Sequence, residues 1–511
     1  MNIFFGAQSG FVNIFQQLEV ELRKEKIIDK STYFVSDSEY YFKHKENLPL
    51  INDISVEHLF EWNYTARNSD RIDSNKLNEI KLKYEACNLW NAVICDRRLM
   101  YGKHAKFRQS YNGKFSDKEL YNIIYASLYA IEQVITKSKP DLIITLIPST
   151  FSDYLLYYAA QVNNIRYLQL KFTKINNNIL LSESFGSHSS EIVDLYNTNK
   201  DKDEFEFKDE SIEYLRKAQS MPIQYEGSLS GVKISAITRF KNTARAFAGV
   251  IKKSVSKNRN ITNADNHVPP VYSIFWYLHL MRDINKRASL AEMKQRSLSL
   301  DQIKNIDYVF FPLHSEPEIA LLVNGINYQN QIELIRRIAQ SIPFDCKLVV
   351  KEHPNSIAYR SSGYYAKLLQ IPNLYFADIE VRPYSWIKKS KLVATISGFV
   401  GFEAAMLGVP VIVFGDVIFD MMPKNMVRKV VDLSMLHREI LDLIGKYEYD
   451  EKAMIAYIAA CLKLSVPINV YSTLLGKQGR VTVDNGSDVE NEIIKLSEYF
   501  KNVLVKSSQS T

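Results

Sequence analysis

The sequence lacks several features that would assign it to a particular class of protein. Its four cysteines form no Cys-x-x-Cys pair and no zinc-finger spacing; they are Cys87, Cys95, Cys346 and Cys461. That usage is typical of a reduced, intracellular protein. No uncharged apolar run approaches the roughly 18 residues of a transmembrane helix, so no membrane span is predicted. The first residues, MNIFFGAQSG, lack the basic and apolar regions of a signal peptide, so we expect none.

Signatures of several catalytic and binding classes are missing as well. Neither the serine elbow G-x-S-x-G nor the phosphate loop G-x-x-x-x-G-K-[ST] occurs. No D-x-D follows a predicted strand and no histidines have the spacing His-x-x-x-His, so we expect no metal. The net charge of +7 is mild for 511 residues and comes with no nucleic-acid motif, so we expect no nucleic-acid partner.

What the sequence does contain is a repeated alternation of strand and helix patterns. An apolar strand begins at Asn2, a turn runs from Gly6 to Gly10, and a helix begins at Phe11. KPDLIITLIPST predicts a later strand that is buried on both faces. From Asp307, helices alternate with the strands YVFFPL, CKLVVKEHP, NLYFAD, KLVATIS and VPVIVFG. This pattern predicts an α/β fold in which two Rossmann-like, doubly wound domains face a cleft, with helical insertions.

The length of the chain predicts more than one domain, and changes in pattern suggest the boundaries. We predict an α/β domain over 1–225, a helical connector over 226–300, a second α/β domain over 301–440 and a helical segment over 441–511. Within the connector, 227–264 contain no Asp or Glu, and apolar residues recur every three or four positions among lysines and arginines over 233–255. This predicts a basic amphipathic helix, which either shows a solvated basic face or contacts an anionic membrane surface.

Polar residues collect where predicted strands of the second α/β domain end. They are His314, Glu316, Glu318, Lys351, His353, Pro354, Ser397, Gly398 and Glu403. Open α/β sheets bind ligands at the carboxyl ends of their strands. These residues belong to three motifs, PLHSEPE, KEHPNS and TISGFVGFEA. Because all three motifs lie at strand ends, the sequence predicts one ligand site.

Each motif has both a chemical and a structural interpretation. Gly398 allows close approach of the backbone before a helix whose free N–H groups favour a phosphate, and Glu403 could accept from ribose hydroxyls. The alternative is that the glycine only permits strand–helix packing and Glu403 favours the helix dipole. Pro354 holds His353 extended, where its imidazole could donate to a phosphate. A histidine in such a place is otherwise a structural hydrogen-bonding group.

The loop PLHSEPE offers candidates for acid–base chemistry. His314, Glu316 and Glu318 crowd one loop, and neighbouring charges can push their pKa values apart. The alternative is a solvated loop whose acidic residues cap a helix that begins near Glu318.

Four segments together resemble the capsular polysaccharide biosynthesis glycosyltransferases, a Kdo-transferase-like family of bacterial surface-glycan enzymes. They are FFPLHSEPE, YQNQIELIRRIAQSIP, LVVKEHPNS and ATISGFVGFEAAMLGVPVIVFG, and they span about 305 to 420. In the first domain only KPDLIITLIPST and ILLSES look familiar. The His-Pro pair is also similar to that of bacterial sialyltransferases. Where the family often carries Gln-x-x-x-Asp, this sequence has His314 and Glu318, which keeps a carboxylate but replaces an amide by an imidazole.

The resemblance implies a GT-B fold and a glycosyltransferase that needs no metal or cofactor. It would move a sugar from a nucleotide donor, CMP-Kdo or another activated sugar, to a growing capsule or lipopolysaccharide glycan. His353 and Pro354 would contact the donor nucleotide, and Lys351, Ser397, Gly398 and Glu403 would complete its site.

The remaining candidates are assigned from their position. The catalytic carboxylate would be Glu318, Glu316 or, from the facing domain, Asp153, with His314 beside it; Gln8, Ser9 and Gly10 would lie on the acceptor side. The alternatives are a nucleotide-sugar epimerase of the same fold and a non-catalytic polysaccharide assembly or export factor. We expect a cytoplasmic protein with peripheral contact at the inner membrane face through 233–255, because acceptors in such pathways are usually linked to lipid.

Overall fold

The structure is a computed structural model of the chain. It describes residues 1–8, 10–35, 72–96, 99, 115–146, 150–186, 188–226, 228, 284, 286–316, 318–353, 356–357, 360, 363–477, 480–483 and 486–508. The predicted basic helix over 233–255, together with Ser9 and Pro354, lies outside the described residues.

The first sheet has six strands in the order β13-β5-β4-β3-β1-β2. Its strands are β1 (Asn2–Ala7), β2 (Lys30–Val35), β3 (Leu142–Leu146), β4 (Arg166–Phe172), β5 (Asn178–Ser182) and β13 (Val466–Pro467). The first four are parallel, whereas β5 and β13 are antiparallel to their neighbours. All five residues of β3 are buried, as expected for a parallel strand covered on both faces. The chain order reverses between β1 and β3, so the topological switch point of this sheet lies there.

Helices cover both faces of the first sheet. They are α1 (Phe11–Lys24), α2 (Ser74–Lys83), α3 (Leu89–Cys95), α4 (Asp117–Ser138) and α5 (Phe151–Val162). The start of α4 is fixed by a capping box, in which the Ser116 side chain accepts from the Glu119 N–H and the Glu119 carboxylate accepts in return. The apolar residues Val12, Phe15 and Leu18 of α1 face the sheet and are buried.

The second sheet has seven parallel strands in the order β12-β11-β10-β7-β8-β9-β6. They are β6 (Ser297–Leu298), β7 (Tyr308–Pro312), β8 (Lys347–Lys351), β9 (Leu374–Ala377), β10 (Leu392–Thr395), β11 (Val411–Val413) and β12 (Val427–Lys429). Counted from β7, the order of the main strands is 3-2-1-4-5-6, which is the Rossmann order. The switch point lies between the neighbouring strands β7 and β10.

The helices around the second sheet follow the predicted alternation. They are α8 (Ile319–Leu322), α9 (Gln331–Ser341), α10 (Tyr364–Leu369), α11 (Pro383–Ile387), α12 (Phe399–Met406), α13 (Leu436–Gly445) and α14 (Glu451–Lys463). Two apolar cores lie on opposite faces of the sheet, because alternate residues of β7 and β8 enter different cores. The predicted fold class, α/β with two Rossmann-like sheets, is confirmed.

Two segments connect the domains by packing. Helices α6 (Ser190–Asn199) and α7 (Lys208–Ser220) pack against α14, so the segment 190–220 joins a core of the second sheet. In the other direction, β13 pairs with β5, and α15 (Val489–Ser508) packs against α1. The predicted boundaries stay a prediction, but these contacts show that the C-terminal helical segment belongs partly to the core of the first sheet. Among the described residues, no helix combines the length and apolar character needed to cross a membrane.

Candidate active site

The switch point of the second sheet brings two of the predicted motifs into contact. Nε2 of His314, after β7, accepts a hydrogen bond of 3.3 Å from the backbone N–H of Ser397, after β10. A Cβ on Gly398 would lie 3.2 Å from the same Nε2, which is tighter than ordinary contact. Glycine is therefore needed here because it allows the imidazole to approach the turn closely. Its backbone is extended, so the φ angle is not the reason for glycine.

His314 is fixed from several sides and is neutral. Its backbone N–H donates to Oε1 of Gln331 at 2.8 Å, and its carbonyl accepts from Arg360 at 2.7 Å. Burial, together with the charges of Arg360 and Lys174, lowers the pKa of His314 to about 3. Because Nε2 accepts from Ser397, the neutral ring carries its proton on Nδ1. These contacts hold His314 at the turn, and the acid–base role predicted from its loop stays a prediction.

Glu316 belongs to a buried ion-pair network. Nη1 of Arg360 lies 2.9 Å from Oε1 of Glu316, and Nη2 lies 2.9 Å from Oε1 of Glu352, with all three side chains at most 4% exposed. The amide of Gln331 also donates to Glu316, and Tyr365 donates to Glu352 at 2.6 Å. The Glu316 carboxylate thus has partners within the protein, and its catalytic role stays a prediction.

Lys351 is also occupied within the protein. Its Nζ donates to the carbonyl oxygens of Asp378 at 2.9 Å and Ile379 at 3.2 Å, at the exit of β9. Burial lowers the pKa of Lys351 to about 8. The side chain thus connects the ends of β8 and β9, and its part in the donor site stays a prediction.

His353 lies beside this network with its ring partly accessible. Its backbone N–H donates to Oε1 of Glu352 at 2.6 Å, which fixes the strand end. The ring is close enough to His314 to contribute to the lowered pKa of that imidazole. The exits of β7 and β8 therefore bring two imidazoles together near the switch point.

The turn before α12 has the features of a phosphate site. Oγ of Ser397 donates to the carbonyl of Ala320 at 2.6 Å, and the Gly398 N–H donates to Oγ1 of Thr395 at 3.3 Å. These bonds hold the turn so that the eight-residue helix Phe399–Met406 starts directly at the switch point. The first N–H groups of such a helix favour an anion.

Two carboxylates flank this turn. Glu403 is half-buried on α12, and burial raises its pKa to about 7, although the charge of Lys174 opposes that shift. Glu318 is exposed at the cap position of α8, and its side chain makes no capping bond. Among the residues that the structure describes, none donates a hydrogen bond to either carboxylate, so both are accessible to a ligand.

Lys174, which was not predicted from the sequence, is a third charged residue beside Glu318 and Glu403. It follows β4 of the first sheet, with φ of 61°, a left-handed conformation that is strained for a residue other than glycine. Its Nζ lies 5.8 Å from the ring centroid of Phe399 and 5.9 Å from that of Tyr225. Burial lowers the pKa of Lys174, and the charges of Glu318 and Glu403 oppose the shift. A lysine of one domain thus faces the carboxylates of the other.

The only signal for Lys174 in the sequence is its place in the loop KFTKINNN after a predicted strand. That loop resembles many other polar loops. The contact that distinguishes it arises from the position of the second domain.

The switch point of the first sheet brings together Gln8 and Asp153. Nε2 of Gln8 donates to Oδ2 of Asp153 at 2.5 Å, and the same carboxylate accepts from the N–H and Oγ1 of Thr150 at 3.0 and 2.9 Å. Asp153 is 2% exposed and closes the capping box of α5. Gly10 lies close by, where a Cβ would be 2.9 Å from Cδ2 of Leu475. The predicted acceptor-side residues share one edge, but Asp153 is engaged in building it.

A family model described as "Capsule polysaccharide biosynthesis protein" matches residues 244–423. The predicted family resemblance is confirmed for this segment. The matched segment includes His314, His353, Ser397 and Glu403. No curated protein matches the chain.

The chain is also similar to solved structures, at a distance. KpsC of Thermosulfurimonas dismutans, described as a beta Kdo 2,7 transferase, is 11% identical with a TM-score of 0.31, over 76% of this chain and 92% of that one. The UDP-GlcNAc 2-epimerase of Neisseria meningitidis, bound to UDP-GlcNAc, is 12% identical with a TM-score of 0.23, over 91% of this chain and 100% of that one. Likenesses this distant assign no activity.

Proposed function

We propose that this protein is a glycosyltransferase that moves a sugar from a nucleotide donor to a growing capsule or lipopolysaccharide glycan. The observation that carries the proposal is the contact of His314 with the turn Ser397–Gly398 at the Rossmann switch point. This is where such sheets bind nucleotides. The match of 244–423 to capsule polysaccharide biosynthesis proteins supports the choice of pathway.

In this proposal the second domain binds the donor. The N–H groups at the start of α12 bind the donor phosphate, and the half-buried Glu403 accepts from the ribose hydroxyls. The His353 ring donates to the phosphate as it leaves, which stabilises the developing negative charge. Pro354, which follows His353 in the chain, would keep that ring at the end of the strand.

Transfer breaks the bond between the anomeric carbon and the phosphate oxygen, and the electron pair leaves with the nucleotide. A new bond forms from the acceptor hydroxyl oxygen to the anomeric carbon, and the hydroxyl proton must be removed. We assign the catalytic carboxylate to Glu318, because it is accessible and faces Lys174, whereas Glu316 and Asp153 are engaged in internal bonds. The positive charge of Lys174 opposes the rise that burial causes in the pKa of Glu403.

The proposal is tested by a thermal-shift screen of CMP, UDP, GDP and dTDP. A ligand that binds only the folded state raises its stability by about 2.7 kcal/mol at a hundred times its dissociation constant. One of the four should raise the midpoint, and Gly398→Val should abolish the shift, because the added side chain meets His314 and fills the turn. Absence of any shift with all four nucleotides would contradict nucleotide binding and favour a non-catalytic assembly factor.

A second assay separates transfer from epimerisation. The sugar derivative of the nucleotide that binds is incubated with the protein, and the products are separated. Slow release of free sugar and nucleotide without an acceptor is expected of a transferase. Conversion to an epimeric sugar that stays attached to the nucleotide would instead identify an epimerase.

Peripheral membrane contact is part of the proposal and depends on the sequence of 233–255. A lipid-linked acceptor would bring the enzyme to an anionic surface, and the acid-free segment has the composition to bind there. Each basic residue near such a surface contributes about 1 kcal/mol.

A further inference from the structure

The turn over 173–178, which joins β4 to β5, holds Lys174 at the interface between the two domains. Oγ1 of Thr173 donates to the carbonyl of Asn178 at 2.9 Å and accepts from the N–H of Ile175 at 3.1 Å. The Ile175 side chain is fully buried in a core of the second sheet. Because both of its chain neighbours are anchored, Lys174 is kept in place although its φ is left-handed.

The ammonium group of Lys174 is partly buried, and its charge has no direct counterion in the described part of the chain. No described residue accepts a hydrogen bond from Nζ or forms an ion pair with it, and Glu318 and Glu403 act on it through their charges alone. A charge that is taken out of water without such a partner costs free energy. The structure therefore keeps a cation at a place where a bound anion would stabilise it.

Lys174 lies beside the first turn of α12. Its Nζ is 5.8 Å from the ring centroid of Phe399, which is the first residue of that helix, and 5.9 Å from the ring centroid of Tyr225. The ammonium and the first turn of α12 are therefore neighbours, although they belong to different domains. Both favour an anion, and a phosphate has several oxygens that can accept from both.

The charges around this turn explain why a helix terminus alone is not enough to bind a phosphate there. The N-terminus of a helix is equivalent to about half a positive charge. Glu318 and Glu403 are near enough to influence Lys174, so they would also repel a phosphate bound at the turn. A full positive charge from the facing domain offsets that repulsion.

We propose that the ammonium of Lys174 binds the phosphate of the nucleotide donor, together with the first N–H groups of α12. This inference rests on the proposed function and adds to it the contact through which the first domain takes part in donor binding. As the bond to the anomeric carbon breaks, negative charge develops on the phosphate oxygen, and the ammonium stabilises that charge. The phosphate also joins the two domains, because its ligands come from both.

The test compares ligand affinities of wild type, Lys174→Gln, Lys174→Arg and the control Lys26→Gln. Lys26 is a matched control because it is also a lysine with a left-handed φ, of 57°, but it is exposed and lies at the edge where β2 begins. The ligands are a nucleoside, its monophosphate, its diphosphate and inorganic pyrophosphate, all at one ionic strength. The nucleotide screen selects the base, and pyrophosphate needs no such choice.

Lys174→Gln should weaken binding of the phosphorylated ligands by about tenfold or more, because a hydrogen bond between charged groups is lost. Its affinity for the nucleoside should be unchanged. Lys174→Arg should keep most of the affinity, since it keeps the charge, and Lys26→Gln should bind as the wild type does. Without ligand, Lys174→Gln should unfold at the temperature of the wild type or above it, because a partly buried charge without a counterion is removed.

A second comparison is needed because the charge of Lys174 also acts on Glu403. Lys174→Gln is therefore repeated in the Glu403→Gln background, where that carboxylate is absent. We expect the same loss of about tenfold for the phosphorylated ligands, since the contact with phosphate does not depend on Glu403. Disappearance of the effect in this background would mean that Lys174 acts only through Glu403, and it would overturn the proposal.

Two other outcomes would overturn the phosphate contact while leaving the proposed function intact. One is equal affinity of wild type and Lys174→Gln for the nucleotides, and the other is an equal loss for the nucleoside, which indicates a structural effect. Failure of the proposed function is distinguishable from both. If no nucleotide binds to any of the proteins but pyrophosphate binding depends on Lys174, the proposed function fails and the phosphate contact stands; if neither binds, both fail.

Discussion

Each sheet has a topological switch point at the carboxyl ends of its strands. The carboxylates at the two switch points differ in their hydrogen-bond partners. At the first switch point, Gln8 and Thr150 donate to Oδ2 of the buried Asp153 carboxylate. At the second, Glu318 and Glu403 face Lys174 and receive no hydrogen bond from the described residues. Both edges follow from the same topological rule, but within the described part of the chain the carboxylates without a hydrogen-bond donor lie at the second edge.

This difference shows that position at a strand end is not sufficient for a functional assignment. A polar side chain at such an end either completes the local fold or remains available for a ligand. Glu316 and Glu318 are two positions apart in one loop, yet Arg360 binds the first while the second is exposed. The partners of each side chain decide its role, and the partners come from distant parts of the chain.

The largest expected effect is on the rate when an accessible carboxylate is changed. Glu318→Gln should lower kcat by about 100-fold or more with an unchanged melting temperature, because a proton-transferring group contributes that much. The matched change at the other edge, Asp153→Asn, should mainly lower the melting temperature. Measurement of initial rates and thermal midpoints for both variants tests the comparison. Normal turnover of Glu318→Gln would place the catalytic group elsewhere.

His353→Ala should lower the rate of transfer by about 100-fold, because a positioned donor to the leaving phosphate is lost. The fold should persist, since the bond from residue 353 to Glu352 uses the backbone N–H. Rates at saturating donor are compared with those of His437→Ala, which changes a histidine on α13 that bonds the carbonyl of Ser341. Near-normal turnover of His353→Ala would show that this imidazole is structural.

Glu316→Gln should act on stability. Breaking a buried ion pair by removing one partner costs about 3–5 kcal/mol, because the other charge stays buried. Chemical denaturation of this variant and of Glu318→Gln gives the difference in unfolding free energy. A large activity loss in Glu316→Gln at full stability would contradict its structural role.

The dependence on pH should show the titration of Glu403. Its folded pKa of about 7 lies above the ordinary value of 4.5, so the folded state binds this proton more tightly than the unfolded state. The associated stability is present below about pH 4.5 and is lost as the pH rises through 7. Donor binding should have the opposite trend and weaken below pH 7, because the protonated carboxyl is a poorer acceptor for ribose hydroxyls.

Glu403→Gln should remove both pH trends, and Lys174→Gln should move their midpoint upward, since the cation favours the ionised form. Thermal midpoints and donor affinities from pH 5 to about 9 provide the data. Lys171 and Lys351, whose pKa values burial lowers to about 7 and about 8, titrate in the same range, so the comparison with Glu403→Gln is needed to assign the trend. A pH profile that is the same in wild type and Glu403→Gln would exclude Glu403 as the group responsible.

The smallest expected effect concerns membrane contact. Replacing Lys241, Arg245, Lys252 and Lys253 by glutamine should reduce co-sedimentation with anionic liposomes and leave neutral liposomes unaffected. Binding of the wild type should weaken with salt, because screening shortens the reach of each charge. Transfer to a soluble acceptor should be unchanged, since none of these four residues is assigned to the donor or acceptor site. Equal sedimentation of both proteins on both lipids would identify a solvated face.

The sequence by itself determined the fold class and the strand ends at which the candidate site lies. Periodicity and buried apolar runs such as LVVK locate β7, β8 and β10, and parallel strands place their polar exits at one edge, so His314, Ser397 and Gly398 could be named together. Short or antiparallel edge strands such as β13 were missed, because two paired residues leave no period in the sequence. Patterns within a few residues follow from backbone geometry, which is local.

The tertiary structure decided which of these side chains are available. Arg360 forms an ion pair with Glu316, which lies 44 positions away in the chain. Lys174, from the other domain, lies over the ring of Phe399. Burial lowers the pKa of His314 and raises that of Glu403, and no local sequence pattern encodes burial. Charge, desolvation and hydrogen-bond partners depend on distances between atoms, and those distances exist only after the two domains and the C-terminal segment have packed together.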